Sequence, residues 1–258
     1  LDGAVKNGVG YQVKQGHYLL TIRGVARYMV VKGAEVVIEI DPNAEIEDVK
    51  VFLYASVFGA LSHLRNALPI HAGAIAHKDG VYLFAGKTGA GKSTTVAEMQ
   101  RRGYDVLTDD LTPISFTKDF IPMTTYGIGR IKLWSDALEK LQISYKAEDR
   151  IRGELEKFNV FIHKKPESIC FKVKKIFILE PYSGEELRFK TLFGKEALIQ
   201  LIQQTFRYQL LEGFGLKENH FNNCSQLLRG IELILIKVPR AEYKLNELGD
   251  WIEKNIDR

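Results

Sequence analysis

Val81-Tyr82-Leu83-Phe84-Ala85-Gly86-Lys87-Thr88-Gly89-Ala90-Gly91-Lys92-Ser93-Thr94 is the stretch on which the reading of this 258-residue chain turns. Its first five residues form a short apolar, β-rich run of the kind a buried strand needs. Gly86 to Ser93 then matches G-x-x-x-x-G-K-[ST], whose glycines let backbone N–H groups approach phosphate oxygens that a Cβ would push away. Thr94 to Arg102 reads as a helix, with Gly103 at the C′ position. Strand, glycine-rich turn and helix together predict a nucleoside triphosphate site. Gly86, Lys87, Thr88, Gly89, Ala90, Gly91, Lys92, Ser93 and Thr94 would surround the phosphates, with Lys92 on the β/γ-phosphates and the Ser93 hydroxyl on Mg²⁺.

Working outward, Ile70–Ala76 and Val81–Ala85 flank Lys78-Asp79-Gly80, a hairpin turn. A turn centred near Asp79 sets His71 across from Lys87 or Thr88, beside the phosphates. Downstream, Tyr104–Thr108 reads as a strand that ends in Asp109-Asp110. Ligands of open α/β sheets sit outside the carboxyl ends of strands, so this pair should face the loop. One carboxylate can hold Mg²⁺ and the other can accept the proton of an attacking hydroxyl. Side chains alternate on extended backbone, so only one of the two should aim at the γ-phosphate. Arg130 and Lys132 follow the glycine-bearing turn at Tyr126–Gly129. They are either a clamp for transferred phosphate or an acidic substrate, or solvated surface charges.

The remaining chain supplies the frame. Residues 18–22, 26–31 and 35–40 alternate as three strands of a β-rich entry region. Asp41-Pro42 reads as the N-cap and first position of a mostly apolar helix that Pro69 stops. Later come strands at 113–116, 175–180, 187–191 and 232–238, and helices at about 135–141, 195–211, 221–228 and 245–255. The charge-rich stretch 148–165 reads as a surface segment or a lid. The expected fold class is α/β: a mixed central sheet flanked by helices, preceded by a small β-rich region. The expected division is residues 1–68, β-rich with its buried helix, and 69–258, the nucleotide-binding core.

Composition narrows the partners. A formal charge of +4, with lysines and arginines scattered through the sequence, argues against nucleic acid. The apolar run Val51–Leu61 is too short to cross a bilayer, and the N-terminus lacks a basic-then-apolar pattern, so no membrane and a cytoplasmic location are expected. Cys170 and Cys224 are far apart, and His220 alone beside Cys224 does not make a zinc site. The sequence leaves a homo-oligomer open.

The residues collected so far resemble the HPr kinase/phosphorylase family of serine kinases, in its shorter, divergent branch that includes kinases of lasso-peptide precursors. That family has a histidine 15 residues before the first loop glycine (86 − 71 = 15) and a catalytic aspartate, second of a D-D pair, 18 residues after the loop lysine (110 − 92 = 18). Arg102-Gly103-Tyr104 and Thr108-Asp109-Asp110 look like the family core, and Gly129–Leu138 looks like the divergent branch. The resemblance implies ATP and Mg²⁺, with Asp110 as general base toward an acceptor serine of a peptide or small protein. It also implies Asp109 and His71 as the supporting network and Lys92 as the phosphate neutraliser. The chain departs from the family at Thr124–Gly129, where a metal-binding glutamate has no counterpart. A second metal, the reverse phosphorolysis and HPr as substrate are therefore not carried over. Two other outcomes fit the residues: a kinase of a small hydroxylated metabolite such as free serine, or a nucleotide-dependent switch or ATPase. The absence of an N-K-x-D guanine-reading motif lowers the second.

Overall fold

The computed structural model describes residues 1–78, 80–146, 149–151, 156–161, 168–241 and 243–256. The chain opens with an antiparallel meander, β1 (Lys6–Gly8), β2 (Tyr11–Lys14), β3 (His17–Ile22), β4 (Ala26–Val31) and β5 (Glu35–Ile40). The last three lie where the alternation places them, because one face is apolar: Ala26, Tyr28 and Val30 of β4 are buried and Arg27 is not.

A helical segment covers that face in three pieces: α1 (Ile46–Phe52), a π-helical stretch (Leu53–Val57) and α2 (Phe58–Leu64). Its start differs from the expected Asp41 cap. The Asp41 carboxylate accepts the Asn43 N–H at 3.1 Å and its carbonyl accepts the Ala44 N–H, which makes a turn, and the helix begins only at Ile46. Its end also comes early. Asn66 adopts a left-handed conformation (φ 57°), and Pro69 lies inside the next strand, β6 (Leu68–Ile70). Val49, Val57 and Ala60 pack on Val13, Tyr18, Tyr28 and Val30, and Leu210 and Phe214 from far along the chain complete the cluster.

Among the described residues the second sheet has nine strands. After β6 come β7 (Ala72–His77), β8 (Gly80–Gly86), α3 (Lys92–Arg101), β9 (Asp105–Thr108), β10 (Thr112–Phe116) and β11 (Pro122–Thr125). A separate ribbon follows, β12 (Arg130–Trp134), α4 (Ser135–Leu141) and β13 (Lys157–Phe161), in which β12 and β13 pair antiparallel. The long β14 (Cys170–Tyr182) lies between β8 and β16 and runs parallel to both. The remaining elements are β15 (Arg188–Leu192), α5 (Gly194–Gln203), α6 (Leu211–Phe214), α7 (Lys217–Gly230), β16 (Glu232–Pro239) and α8 (Leu245–Ile256). The result is a mixed sheet with an apolar core on each side. One holds Phe84, Phe177, Val96, Ile131 and Ile252, and the other Ile70, Leu83, Ile178, Leu201 and Leu227.

Two sequence expectations fail here for one reason. The hairpin strand was expected from Ile70 and the helix through Leu211, yet β7 starts at Ala72 and α5 stops at Gln203. Residues 204–206 leave the helix to run against 69–71: His71 N–H donates to Gln204 O and Phe206 N–H to Pro69 O, both at 2.8 Å. Tertiary pairing overrides helix propensity, and Arg207 turns the chain with φ 56°. Asp79, the expected centre of the hairpin turn, and much of the 148–165 stretch lie outside the described residues. No helix among the described residues is long and apolar enough to cross a membrane.

Candidate active site

β8 and β9 run in the same direction with β7 antiparallel between them, so their carboxyl ends meet at one edge of the sheet. Beyond β8 comes the glycine-rich turn, beyond β9 the Asp109-Asp110 pair, and between them His71, just before β7. Ala72 pairs with Ala85, which brings His71 beside Gly86, the first loop residue, rather than Lys87 or Thr88.

The turn needs its glycines. A Cβ on Gly86 (φ 145°) would stand 2.5 Å from the carbonyl oxygen of Leu179 on the neighbouring strand, and one on Gly91 (φ 92°) 2.2 Å from the Tyr243 hydroxyl. Gly91 immediately precedes α3, so the unpaired N–H groups of the first helical turn open toward the loop. Lys92 is folded into the turn, donating to Gly86 O at 2.8 Å and Lys87 O at 3.2 Å. Burial lowers its pKa, while the charges of Asp110 and Asp109 act in the opposite sense.

The two aspartates sit in different surroundings. Asp109 is buried; its Oδ2 accepts the Lys132 backbone N–H at 2.8 Å, and its Oδ1 has no hydrogen-bond partner among the described residues. Burial first, and then the neighbouring charge of Asp110, raise its pKa, with Lys132 N–H and the Ser93 hydroxyl opposing. Asp110 opens to the cavity and is ion-paired with Lys132. Burial disfavours its charge, but Lys132, Lys157 and His71 outweigh burial and hold its carboxyl below the usual range. His71 Nδ1 lies 2.9 Å from the Asp110 carbonyl oxygen. That oxygen can only accept, so Nδ1 carries the proton and the bare nitrogen is Nε2. Burial and then the Lys92 charge lower the His71 pKa, favouring the neutral ring.

These groups line one cavity of about 970 Å³: Lys92, Ser93, His71 and Asp110, with Trp134 and Lys157 of the ribbon on its wall. Lys132 reaches it through Asp110. Arg130 does not line it; the guanidinium is buried 5.4 Å from the centre of the Tyr54 ring. Two residues that the sequence did not single out belong to the site. Lys157 places its charge near His71, Lys92, Asp109 and Asp110. Tyr243 donates to Gly91 O at 3.2 Å and meets the Thr95 hydroxyl at 2.8 Å, and burial pushes its hydroxyl up to about 12. Neither carries a local motif, since Lys157 arrives by pairing across the ribbon with Trp134 and Tyr243 by a contact with Gly91, 152 positions away.

The donor set fits Mg²⁺. A buried carboxylate oxygen without a partner, next to a serine hydroxyl at a helix start, suits a hard cation that takes one or two protein oxygens and completes its shell with phosphate and water.

No family model and no curated protein matches the chain. Among solved structures it is similar to the HPr(Ser) kinase/phosphatase from Coxiella burnetii, at 12% identity and a TM-score of 0.37, over 73% of this chain and 93% of that one.

Proposed function

We propose that this chain is a kinase that moves the γ-phosphoryl group of ATP to a serine hydroxyl of a peptide or small protein, with a lasso-peptide precursor-like substrate favoured over HPr. The observation that supports this most is that Asp110 shares one cavity with the glycine-rich turn, Lys92 and Ser93. With Asp109 left for the metal, Asp110 is the carboxylate that can accept the proton of an attacking hydroxyl.

The loop N–H groups and the start of α3 bind and orient the triphosphate. Lys92 exchanges its carbonyl partners for phosphate oxygens, and Tyr243 fixes the loop from behind by its bond to Gly91. Ser93 and Asp109 hold Mg²⁺, which when bound neutralises charge on the phosphates. The serine oxygen forms a bond to the γ-phosphorus, the bond from that phosphorus to the ADP oxygen breaks, and the hydroxyl proton passes to Asp110 Oδ. A weakly basic carboxylate is enough in a loose transition state, where positioning and charge carry most of the catalysis. Lys132 and the His71 contact to its carbonyl fix where Asp110 stands.

Incubation with γ-labelled ATP, Mg²⁺ and serine peptides, followed by mass spectrometry, tests this. A peptide heavier by roughly 80 Da is expected, the mass of one phosphoryl group. Release of free phosphate with every peptide unmodified rejects the reading.

A further inference from the structure

The β12–β13 ribbon has two faces of opposite character. Ile131, Leu133 and Phe158 point into the core and are at most 2% exposed. Side chains alternate along a strand, so Lys132 and Trp134 share the other face with their cross-strand partners Asn159 and Lys157. This polar face meets the cavity: Lys132 holds Asp110, while Trp134 and Lys157 line the wall, the Lys157 ammonium 5.7 Å from the centre of the Trp134 ring.

From these residues we infer that the polar face of the ribbon is the acceptor platform, and that it selects an acidic peptide with a carboxylate two residues from the phosphorylated serine. The inference rests on the kinase reading above and gives it a substrate class.

Charge accounting supports it. The carboxylates around the cavity are already engaged. Asp110 pairs with Lys132, Glu98 pairs with Arg101 at 2.8 Å and Arg102 at 2.7 Å, and Glu247 lies 3.5 Å from Lys244. Asp136 accepts the Ala137 N–H at 2.9 Å. Lys157 acts on Asp109 and Asp110 only from beyond ion-pair distance among the described residues, and it sits on a wall where an acid could reach it. Spacing supplies the register. Trp134 and Lys157 form the cross-strand pair two residues along from Lys132, about 6.6 Å at the rise of a strand. A serine hydroxyl at Asp110 on an extended peptide presents its same-side neighbour, two residues away, at that distance. A carboxylate there meets Lys157, while Trp134 offers a flat apolar surface to the peptide stem.

The test uses three dye-labelled nonapeptides with one serine, and Asp, Asn or Lys two residues from it on each side. With the full chain, kcat/KM for the Asp peptide should exceed that for the Asn peptide about tenfold, the scale of one charge-assisted hydrogen bond. Lys157→Glu should reverse the order and favour the Lys peptide, while Lys157→Gln should flatten it; because Lys157 also acts on Lys92 and Asp110, each variant is read by the ratio of kcat/KM between peptides, which a change in overall rate or in KM for ATP leaves untouched. Equal transfer to all three peptides, or a Lys157→Glu effect confined to KM for ATP, overturns the acidic-acceptor assignment. Fluorescence anisotropy of the same peptides, with a non-hydrolysable ATP analogue present, separates the two readings. Selective, Lys157-dependent binding of the Asp peptide without transfer upholds the platform and rejects the kinase. No selective binding overturns the platform.

Discussion

Two of the clusters of buried polar side chains among the described residues are satisfied to different degrees. Between the meander and the mixed sheet, His63 Nε2 donates to Phe206 O at 2.9 Å and His220 Nε2 meets the Thr205 hydroxyl at 2.8 Å, with Cys224 packed beside it. The opening among them is about 10 Å³, too small for a ligand. At the sheet edge, by contrast, a buried Asp109 oxygen has no partner among the described residues, Lys92 rests on loop carbonyls, and the space in front of Lys92 and Asp110 is about 970 Å³. Burying polar groups costs free energy in both places. The first cluster recovers it with internal hydrogen bonds between neutral groups. The second leaves charges open to what enters, as a binding site must. The first should therefore answer to perturbation in stability and the second in rate.

Acid breaks the closed cluster first. Burial lowers both His63 and His220 from 6.5 to about 4. The unfolded chain then takes up protons before the folded one, so the stability these rings contribute is full above pH 6.5 and is lost as pH falls toward 4. A drop of about 2.5 pH units corresponds to about 3 kcal/mol for each ring as an upper bound. Asp109 opposes this, because its raised pKa favours the folded state as pH falls through part of the same range. Urea unfolding at steps from pH 7.5 to 4 should show declining stability, and His63→Phe should reduce the slope. A profile that His63→Phe leaves unchanged would mean that the ring is not held neutral.

Asp110→Asn tests the open cluster. General-base help is worth roughly 10²–10⁴-fold, so phosphoryl transfer should slow by that factor, a rise of about 3–5 kcal/mol in the barrier. Asn keeps an oxygen for Lys132, so the thermal midpoint should move by only about 3 °C, and ATP analogue binding should persist. Transfer at the wild-type rate would remove Asp110 from the base role. A large loss of stability would show that this cluster is structural, like the other.

How much of this was legible in the sequence follows from range. β3, β4, β5, β8, α3, β9, β16 and α8 were readable because their periodicity, caps and turns are local. The convergence of the glycine-rich turn, His71 and Asp109-Asp110 was readable too, since one hairpin and one strand end place all three at the same sheet edge. What failed depended on distant partners. The early end of α5 is imposed by Pro69 and His71, more than 130 positions upstream. Lys157 gains its meaning only when β13 pairs with β12, and Tyr243 only when it reaches Gly91. Arg130 and Lys132, equivalent in the sequence, separate because one stacks on Tyr54 while the other reaches Asp110.

The smallest expected effect sharpens the contrast from the closed side. Thr205→Val preserves shape and the backbone pairing of 204–206 with 69–71, and removes only the hydroxyl that meets His220. The ring nitrogen then keeps only the weak Cys224 sulfur contact at 3.6 Å, at a cost of about 1–3 kcal/mol. Replacing His220 as well, in Thr205→Val/His220→Leu, takes away both polar partners and should recover part of that loss, because two matched apolar groups leave nothing unsatisfied. Denaturant midpoints of the wild type, both single variants and the double variant close this cycle. Phosphoryl transfer should stay within about twofold of wild type throughout, since Thr205 and His220 meet the site through the backbone of residues 69–71 and the packing of the Phe206 ring on His71, both of which the variants retain. A fall in transfer that tracks the fall in stability would show that the closed cluster also positions His71, and the division between the two would not hold.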